Sequence, residues 1–138
     1  MPSNLYWICS KDTGGGPTLI GKLWRAGKND FRFQYMISEE ALEADPWLGI
    51  YGFDYKAGEY ETDYVKDLLY RCVPRPDSVG LAAALRDYGV SEYNEWDILD
   101  SLVDNFIQIP IYDGKQPYSD PRQRMYFYKT LPGNVVRL

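Results

Sequence analysis

Carboxylates are the side chains in this sequence best able to do acid–base or metal chemistry, because the chain has no histidine. It carries 20 aspartates and glutamates. Without histidine it lacks the commonest general base, the Ser-His and Cys-His pairs, and the commonest metal ligand. Asp97, Asp100 and Asp104 stand at helical spacing, but apolar neighbours fill the inward stripe beside them. We interpret these three as a solvated helix face, and we expect no enzymatic activity, metal or cofactor.

Two further motifs could carry chemistry. Gly14, Gly15 and Gly16 are consecutive, as in a phosphate-binding loop, but no Lys-Ser or Lys-Thr follows and no helix is predicted there. We therefore predict a flexible turn. Cys9 and Cys72 lie in apolar surroundings, which predicts two buried thiols of an intracellular protein, with a disulfide between them as the alternative.

The overall composition indicates one globular domain of 138 residues with net charge −5. The charge is uneven, because residues 1–37 and 112–138 are each +3, whereas residues 38–67 are −7 and residues 78–111 are −5. This pattern reflects either folding contacts between segments or an acidic face that meets a basic partner. The N-terminal residues lack a basic stretch followed by an apolar run, so we expect no signal peptide, and no run of ~18 apolar residues could span a membrane. We expect a cytoplasmic protein without membrane contact.

The clearest periodicity predicts a β-hairpin formed by residues 18–25 and 30–37, after a first strand at 5–9. Three helices are predicted at about 61–72, 79–88 and 94–103, after a short helix that Ser38 caps. Strands are predicted at 106–112 and, more weakly, at 125–131. The fold class is therefore α+β, a small antiparallel sheet of the hairpin plus a late strand, covered on one face by about three helices. Residues 112–138 form a C-terminal extension of this single domain.

In order, these segments resemble the N-terminal subdomain of HipA-type proteins, the serine/threonine-kinase toxins of bacterial toxin–antitoxin systems. The resemblance is carried by Ile20-Gly21-Lys22-Leu23, by Phe31-Arg32-Phe33-Gln34-Tyr35 and by the helical segments 67–74 and 95–99. It implies a free-standing copy of that subdomain, without the kinase domain. The segments also resemble N-terminal modules that are joined to a HIRAN domain, a module that binds DNA ends in other proteins.

The resemblance implies a non-enzymatic protein-binding regulator, an antitoxin-like partner of a separate HipA-like kinase. Aromatic residues on the loop at 47–60 are either core anchors, which we favour on composition, or a recognition surface. For a binding function we place the interface where aromatics, glycines and acids are densest. The expected partner-binding residues are Trp47, Tyr51, Phe53, Asp54, Tyr55, Glu59 and Glu61.

Two alternative functions follow from the charge. An acidic, histidine-free chain suits a phage or mobile-element inhibitor of a host nucleic-acid enzyme. A HIRAN-related nucleic-acid accessory protein would instead use the basic residues around the hairpin: Lys22, Arg25, Lys28 and Arg32. The net charge argues against general phosphate-backbone binding, so nucleic acid remains a possible partner only through this basic hairpin.

Overall fold

A four-stranded antiparallel sheet forms the centre of the computed structural model, which describes residues 4–10, 14–50, 52–71, 73–105 and 125–138. The strands are β1 (Leu5–Ser10), β2 (Leu19–Gly27), β3 (Asp30–Tyr35) and β4 (Met125–Tyr128), in the order β3-β2-β1-β4. The helices are α1 (Glu39–Ala44), α2 (Thr62–Leu69), α3 (Leu81–Tyr88) and α4 (Glu95–Asn105), with a 3-10 turn at Pro46–Leu48. The predicted α+β class is confirmed.

The sheet has a core face lined by fully buried side chains, and buried and half-buried residues alternate without a break along β3. Tyr6, Leu23 and Phe33 are cross-strand neighbours in β1, β2 and β3, and all three side chains are fully buried. Trp96 of α4 covers this face, with its ring centroid 5.4 Å from that of Tyr6 and 5.8 Å from that of Phe31. The core therefore lies between the sheet and α4, joined at the β3 edge by Val65, Leu68 and Leu69 of α2.

Gly21 is required at its position in β2 because an aromatic ring lies across it. A Cβ atom there would stand 2.4 Å from the Phe33 ring and 2.9 Å from the Gln34 carbonyl oxygen. Phe33 thus packs onto bare backbone, which explains why the Ile20-Gly21-Lys22-Leu23 segment carries a glycine on the buried face of the sheet.

Two helix boundaries differ from the predicted ones. α2 ends at Leu69, whereas the apolar stripe predicted a helix to residue 72. α3 starts at Leu81 because Gly80 has a left-handed backbone, with φ of +78°, and this conformation interrupts the helix predicted from residue 79.

The last part of the chain, residues 125–138, extends the sheet and crosses the start of β2. β4 pairs with β1 through Trp7 opposite Tyr128 and Ile8 opposite Phe127. After β4, the Val136 carbonyl oxygen accepts from the Leu19 N–H at 2.8 Å, and the Val136 N–H donates to the Pro17 carbonyl at 2.8 Å. These residues therefore belong to the same folded unit as β1 and β2. The strand predicted at 106–112 lies outside the described residues.

In the described part of the chain, no helix is long and apolar enough to cross a membrane.

Candidate partner-binding surface

The aromatic loop that follows α1 is fixed to the sheet by the hydroxyl of Tyr35. This hydroxyl accepts a hydrogen bond from the Ile50 N–H at 3.0 Å and donates one to the Phe53 carbonyl oxygen. Burial raises the pKa of Tyr35 to about 12. The loop is thus ordered by one buried polar group that bonds backbone atoms on either side of Gly52.

Phe53 is a core residue, which corrects its prediction as a partner-binding residue. Only 5% of it is exposed, and its ring lies 5.8 Å from that of Phe33 and 5.0 Å from that of Tyr60. A side chain packed in this way has no surface to offer a partner. For Phe53, the structure agrees with the favoured interpretation of the loop aromatics as core anchors.

The other predicted interface residues have different environments. Tyr55 is half-buried and stacks on Tyr35 with ring centroids 6.1 Å apart. Asp54, Glu59 and Glu61 are exposed, as a binding surface requires. The structure does not describe Tyr51 or the side chain of Trp47.

Arg32 of β3 connects the loop acids to the sheet edge. Its guanidinium lies 3.5 Å from the Glu59 carboxylate and 3.9 Å from that of Glu61, and its Nε donates to Asp30 at 2.7 Å. The hydrogen bond from Arg32 lowers the pKa of Asp30. These contacts hold Glu59 and Glu61 side by side at the start of α2, where carboxylates are favoured by the helix dipole.

Thr62 is the first residue of α2, and its side chain bonds to the sheet. Its Oγ1 accepts from the Phe31 N–H at 3.0 Å, and the Tyr60 and Phe33 backbones exchange hydrogen bonds of 3.1 and 2.7 Å. The outer edge of β3 is thereby covered by the segment that carries Glu59 and Glu61, so this acidic segment has a fixed position on the sheet.

Tyr64 is a surface residue that the predicted interface omitted, because its helical spacing groups it with the apolar residues Val65, Leu68 and Leu69. The structure leaves 62% of it exposed, with its ring 5.7 Å from that of Tyr60. Glu61 and Asp67, three positions before and after it, are both exposed on the same side of the helix. This pattern of acids at i−3 and i+3 was the available signal.

We give the name acidic tyrosine surface to Tyr64 and the exposed acids at 54–67. Beside it lies a shallow pocket of about 310 Å³ lined in part by Lys56, Thr62 and Asp63. The Lys56 ammonium stands 4.6 Å from the centre of the Tyr60 ring, so a cation already occupies one aromatic face here. The acidic tyrosine surface consists of Asp54, Glu59, Glu61, Asp63, Tyr64 and Asp67.

In the part of the chain that the structure describes, three of the four basic hairpin residues make ion pairs. Arg25 lies 3.4 Å from Asp97 and Lys28 lies 3.6 Å from Glu92, while Arg32 has the acidic partners given above. Folding contacts between the basic N-terminal segment and the acidic middle therefore account for part of the uneven charge. A nucleic-acid interface made of the whole basic hairpin would have to compete with these pairs.

The α4 carboxylates do not form the solvated face expected from their spacing. Asp100 is only 6% exposed and accepts a hydrogen bond from the Tyr6 hydroxyl, so the prediction is wrong for this residue. Asp97 lies nearer the surface beside Arg25, and the side chain of Asp104 is not described. The burial of Asp100 was missed because helical spacing alone does not distinguish a buried carboxylate that pairs with a tyrosine from an exposed one.

Cys9 is a buried free thiol, as the sequence predicted, and its burial raises its pKa to about 11. Its thiol is therefore poorly suited to act as a nucleophile near neutral pH. Cys72 lies outside the described residues.

No protein-family model, curated protein or solved structure matches this chain.

Proposed function

We propose that this protein is a non-enzymatic regulator that binds a HipA-like serine/threonine kinase in the manner of an antitoxin. The resemblance in Ile20-Gly21-Lys22-Leu23 and in 31–35 supports the family of the partner. The chain would occupy the kinase surface that a covalently attached subdomain normally contacts. No catalytic residue takes part in this function.

The main support for the proposal that the chain binds a protein is the exposure of Tyr64. A tyrosine that is 62% exposed offers a large ring to a partner at a small cost in side-chain entropy. Tyrosine is enriched at interface centres, and charged residues are typical of their rims. Tyr64 with its surrounding carboxylates has this arrangement, and the excess of acids there favours a basic patch on the partner.

The test is co-purification with a HipA-like kinase encoded in the same genome, together with rescue of growth when the two are co-expressed. Tyr64→Ala should weaken capture by roughly 10- to 100-fold, the effect of losing a central interface tyrosine. Glu61→Lys should slow association most strongly at low salt. The matched control is Asp87→Lys, which makes the same charge change on the exposed side of α3 and should leave capture unchanged.

Failure to capture the kinase would overturn the partner's identity. Capture that is equally strong with Tyr64→Ala and Glu61→Lys would remove the acidic tyrosine surface from the interface. Circular dichroism of each variant checks that it is folded, which is expected because both residues are exposed.

An inhibitor of a host nucleic-acid enzyme is the second candidate, because the same carboxylates could occupy a basic nucleic-acid channel. In that case the enzyme recovered from the native host would be a nuclease, polymerase or helicase. Its inhibition would be lost with Glu61→Lys and kept with Asp87→Lys.

A further inference from the structure

The sheet face opposite the core face carries aromatic rings and cations. Cross-strand pairing places Trp7 beside both Lys22 and Tyr128, and it places Trp24 beside Arg32. All five side chains are half-buried, so part of each ring remains accessible. Their sequence neighbours Tyr6, Ile8, Leu23, Phe33 and Phe127 point to the core and are buried.

The middle of this face carries a cation, although the chain as a whole has a net charge of −5. Lys22, Asp30 and Arg32 are the charged residues at these strand positions, and Asp30 pairs with Arg32, which leaves Lys22 as the cation of the central strand. Arg32 lies at the β3 edge with its acidic partners. Lys22 lies between Trp7 and Trp24 in the middle of the face, and its ammonium is 4.6 Å from the centre of the Trp24 ring.

We propose that this face binds single-stranded nucleic acid, with bases stacked on Trp7 and Trp24 and with the Lys22 ammonium moving from the Trp24 ring to a backbone phosphate. A flat row of aromatic rings with an interleaved cation fits planar bases joined by an anionic backbone, and stacking of this kind tolerates any sequence. The two tryptophans lie on adjacent strands at neighbouring register positions, which suits successive bases. This surface shares no residue with the acidic tyrosine surface, so the two proposals stand or fall separately.

The expected mode of nucleic-acid binding differs from binding along a row of basic side chains. Stacking supplies most of the affinity, and with one central lysine the dependence on salt is shallow. For single strands, the slope of log affinity against log salt is about −0.7 for each phosphate that is neutralised. A slope of about −0.7 to −1.5 is therefore expected here.

The experiment measures the fluorescence anisotropy of labelled oligothymidylate and oligouridylate of about 12 nucleotides, a length within the range that such platforms cover. Titrations of the full chain run from about 50 to about 200 mM salt. Trp24→Ala should weaken binding by roughly 10- to 100-fold, the effect of losing one base–aromatic stack. Lys22→Gln should reduce the salt slope by about 0.7.

Lys28→Gln is the matched control, because it removes the same charge from an exposed lysine on the hairpin turn, away from the two tryptophans. It should leave both affinity and slope unchanged. Thermal unfolding of each variant confirms that it is folded. Lys22→Gln keeps the proposal testable if Trp24→Ala proves unstable, since it replaces a half-buried polar side chain with another of similar size.

Three results would overturn the proposal. The first is no binding by the wild-type chain at the lowest salt. The second is an equal loss of slope with Lys28→Gln and Lys22→Gln, which would indicate diffuse attraction of a polyanion. The third is competition by a proline-rich peptide but not by unlabelled oligonucleotide, since aromatic rows also bind polyproline helices.

Discussion

At the residue scale, the Tyr35 hydroxyl fixes the backbone of the aromatic loop beside Phe53. It bonds to the backbone of Ile50 and Phe53, and in doing so it directs the Phe53 ring inward against Phe33. The sequence predicted Tyr35 on the buried side of β3 from its period-two pattern, but periodicity carries no information about which distant backbone groups a hydroxyl will reach. This is why the sequence could not decide whether Phe53 is a core anchor or an interface residue.

Stability at alkaline pH should depend on Tyr35. Its pKa is raised to about 12 in the native state, whereas a phenol in the unfolded chain ionises near pH 10. Between these values the unfolded state has lost a proton that the native state keeps, so the free energy of unfolding falls as pH rises. Tyr35→Phe should therefore show a shallower alkaline loss in urea denaturation between about pH 9 and pH 11.

The same variant should be less stable at neutral pH by about 1–3 kcal/mol, because it leaves a buried N–H and a carbonyl without their partner. Tyr64→Phe is the comparison, since it removes a hydroxyl from a mostly exposed ring and should change stability by less than about 0.5 kcal/mol. An unchanged pH slope in Tyr35→Phe would assign the alkaline loss to other tyrosines.

At the scale of elements, the start of α4 is tied to the hairpin by one buried asparagine. The Asn94 side-chain oxygen accepts from the N–H groups of Trp96 and Asp97 at 3.0 and 3.1 Å. Its amide nitrogen donates to the Lys28 carbonyl at 3.1 Å and to the Asn29 side chain at 3.0 Å. The sequence predicted a helix from about residue 94, but a cap residue that also bonds to a turn 65 residues earlier has no local signature.

Two substitutions should separate the two functions of the Asn94 side chain, the cap of α4 and the hydrogen bonds to the hairpin turn. Asn94→Ala removes both and should cost about 2–4 kcal/mol, the sum of a lost cap and lost turn bonds at a buried site. Asn94→Asp keeps the capping oxygen and should retain α4 while loosening the hairpin turn. For Asn94→Asp, hydrogen exchange measured by NMR should be faster than in the wild type at the hairpin turn and unchanged in α4. An equal increase in both elements would contradict this division of roles.

At the scale of the whole molecule, the triple glycine joins the two ends of the chain. Gly16 has φ of +100°, and a Cβ there would stand 1.9 Å from the Asn134 carbonyl oxygen. The C-terminal segment thus crosses the β1–β2 connection at a point where only glycine fits. The sequence predicted a flexible turn here in place of a phosphate loop, but which of the three glycines is essential depends on a contact with Asn134, far along the chain.

Gly16→Ala should accordingly lower the free energy of unfolding by about 2–4 kcal/mol through strain and displacement of the C-terminal segment. Gly15→Ala is the matched control, because a Cβ at that position meets nothing within 4 Å. It should change the free energy of unfolding by less than about 0.5 kcal/mol. Urea denaturation of the pair decides the point. Equal effects of the two substitutions would mean that the contact with Asn134 does not contribute to stability.

The strand order has a consequence for how the protein is made. β1 pairs on one side with β2, which follows it closely, and on the other with β4, so Trp7 meets Tyr128 only after nearly all of the chain is available. During synthesis the hairpin and β1 can assemble early, whereas one edge of β1 stays open until the last strand emerges from the ribosome. Contacts of such long sequence separation slow folding, and an unpaired edge invites pairing with other chains. The interval before β4 arrives is therefore the stage at which this protein is most exposed to aggregation.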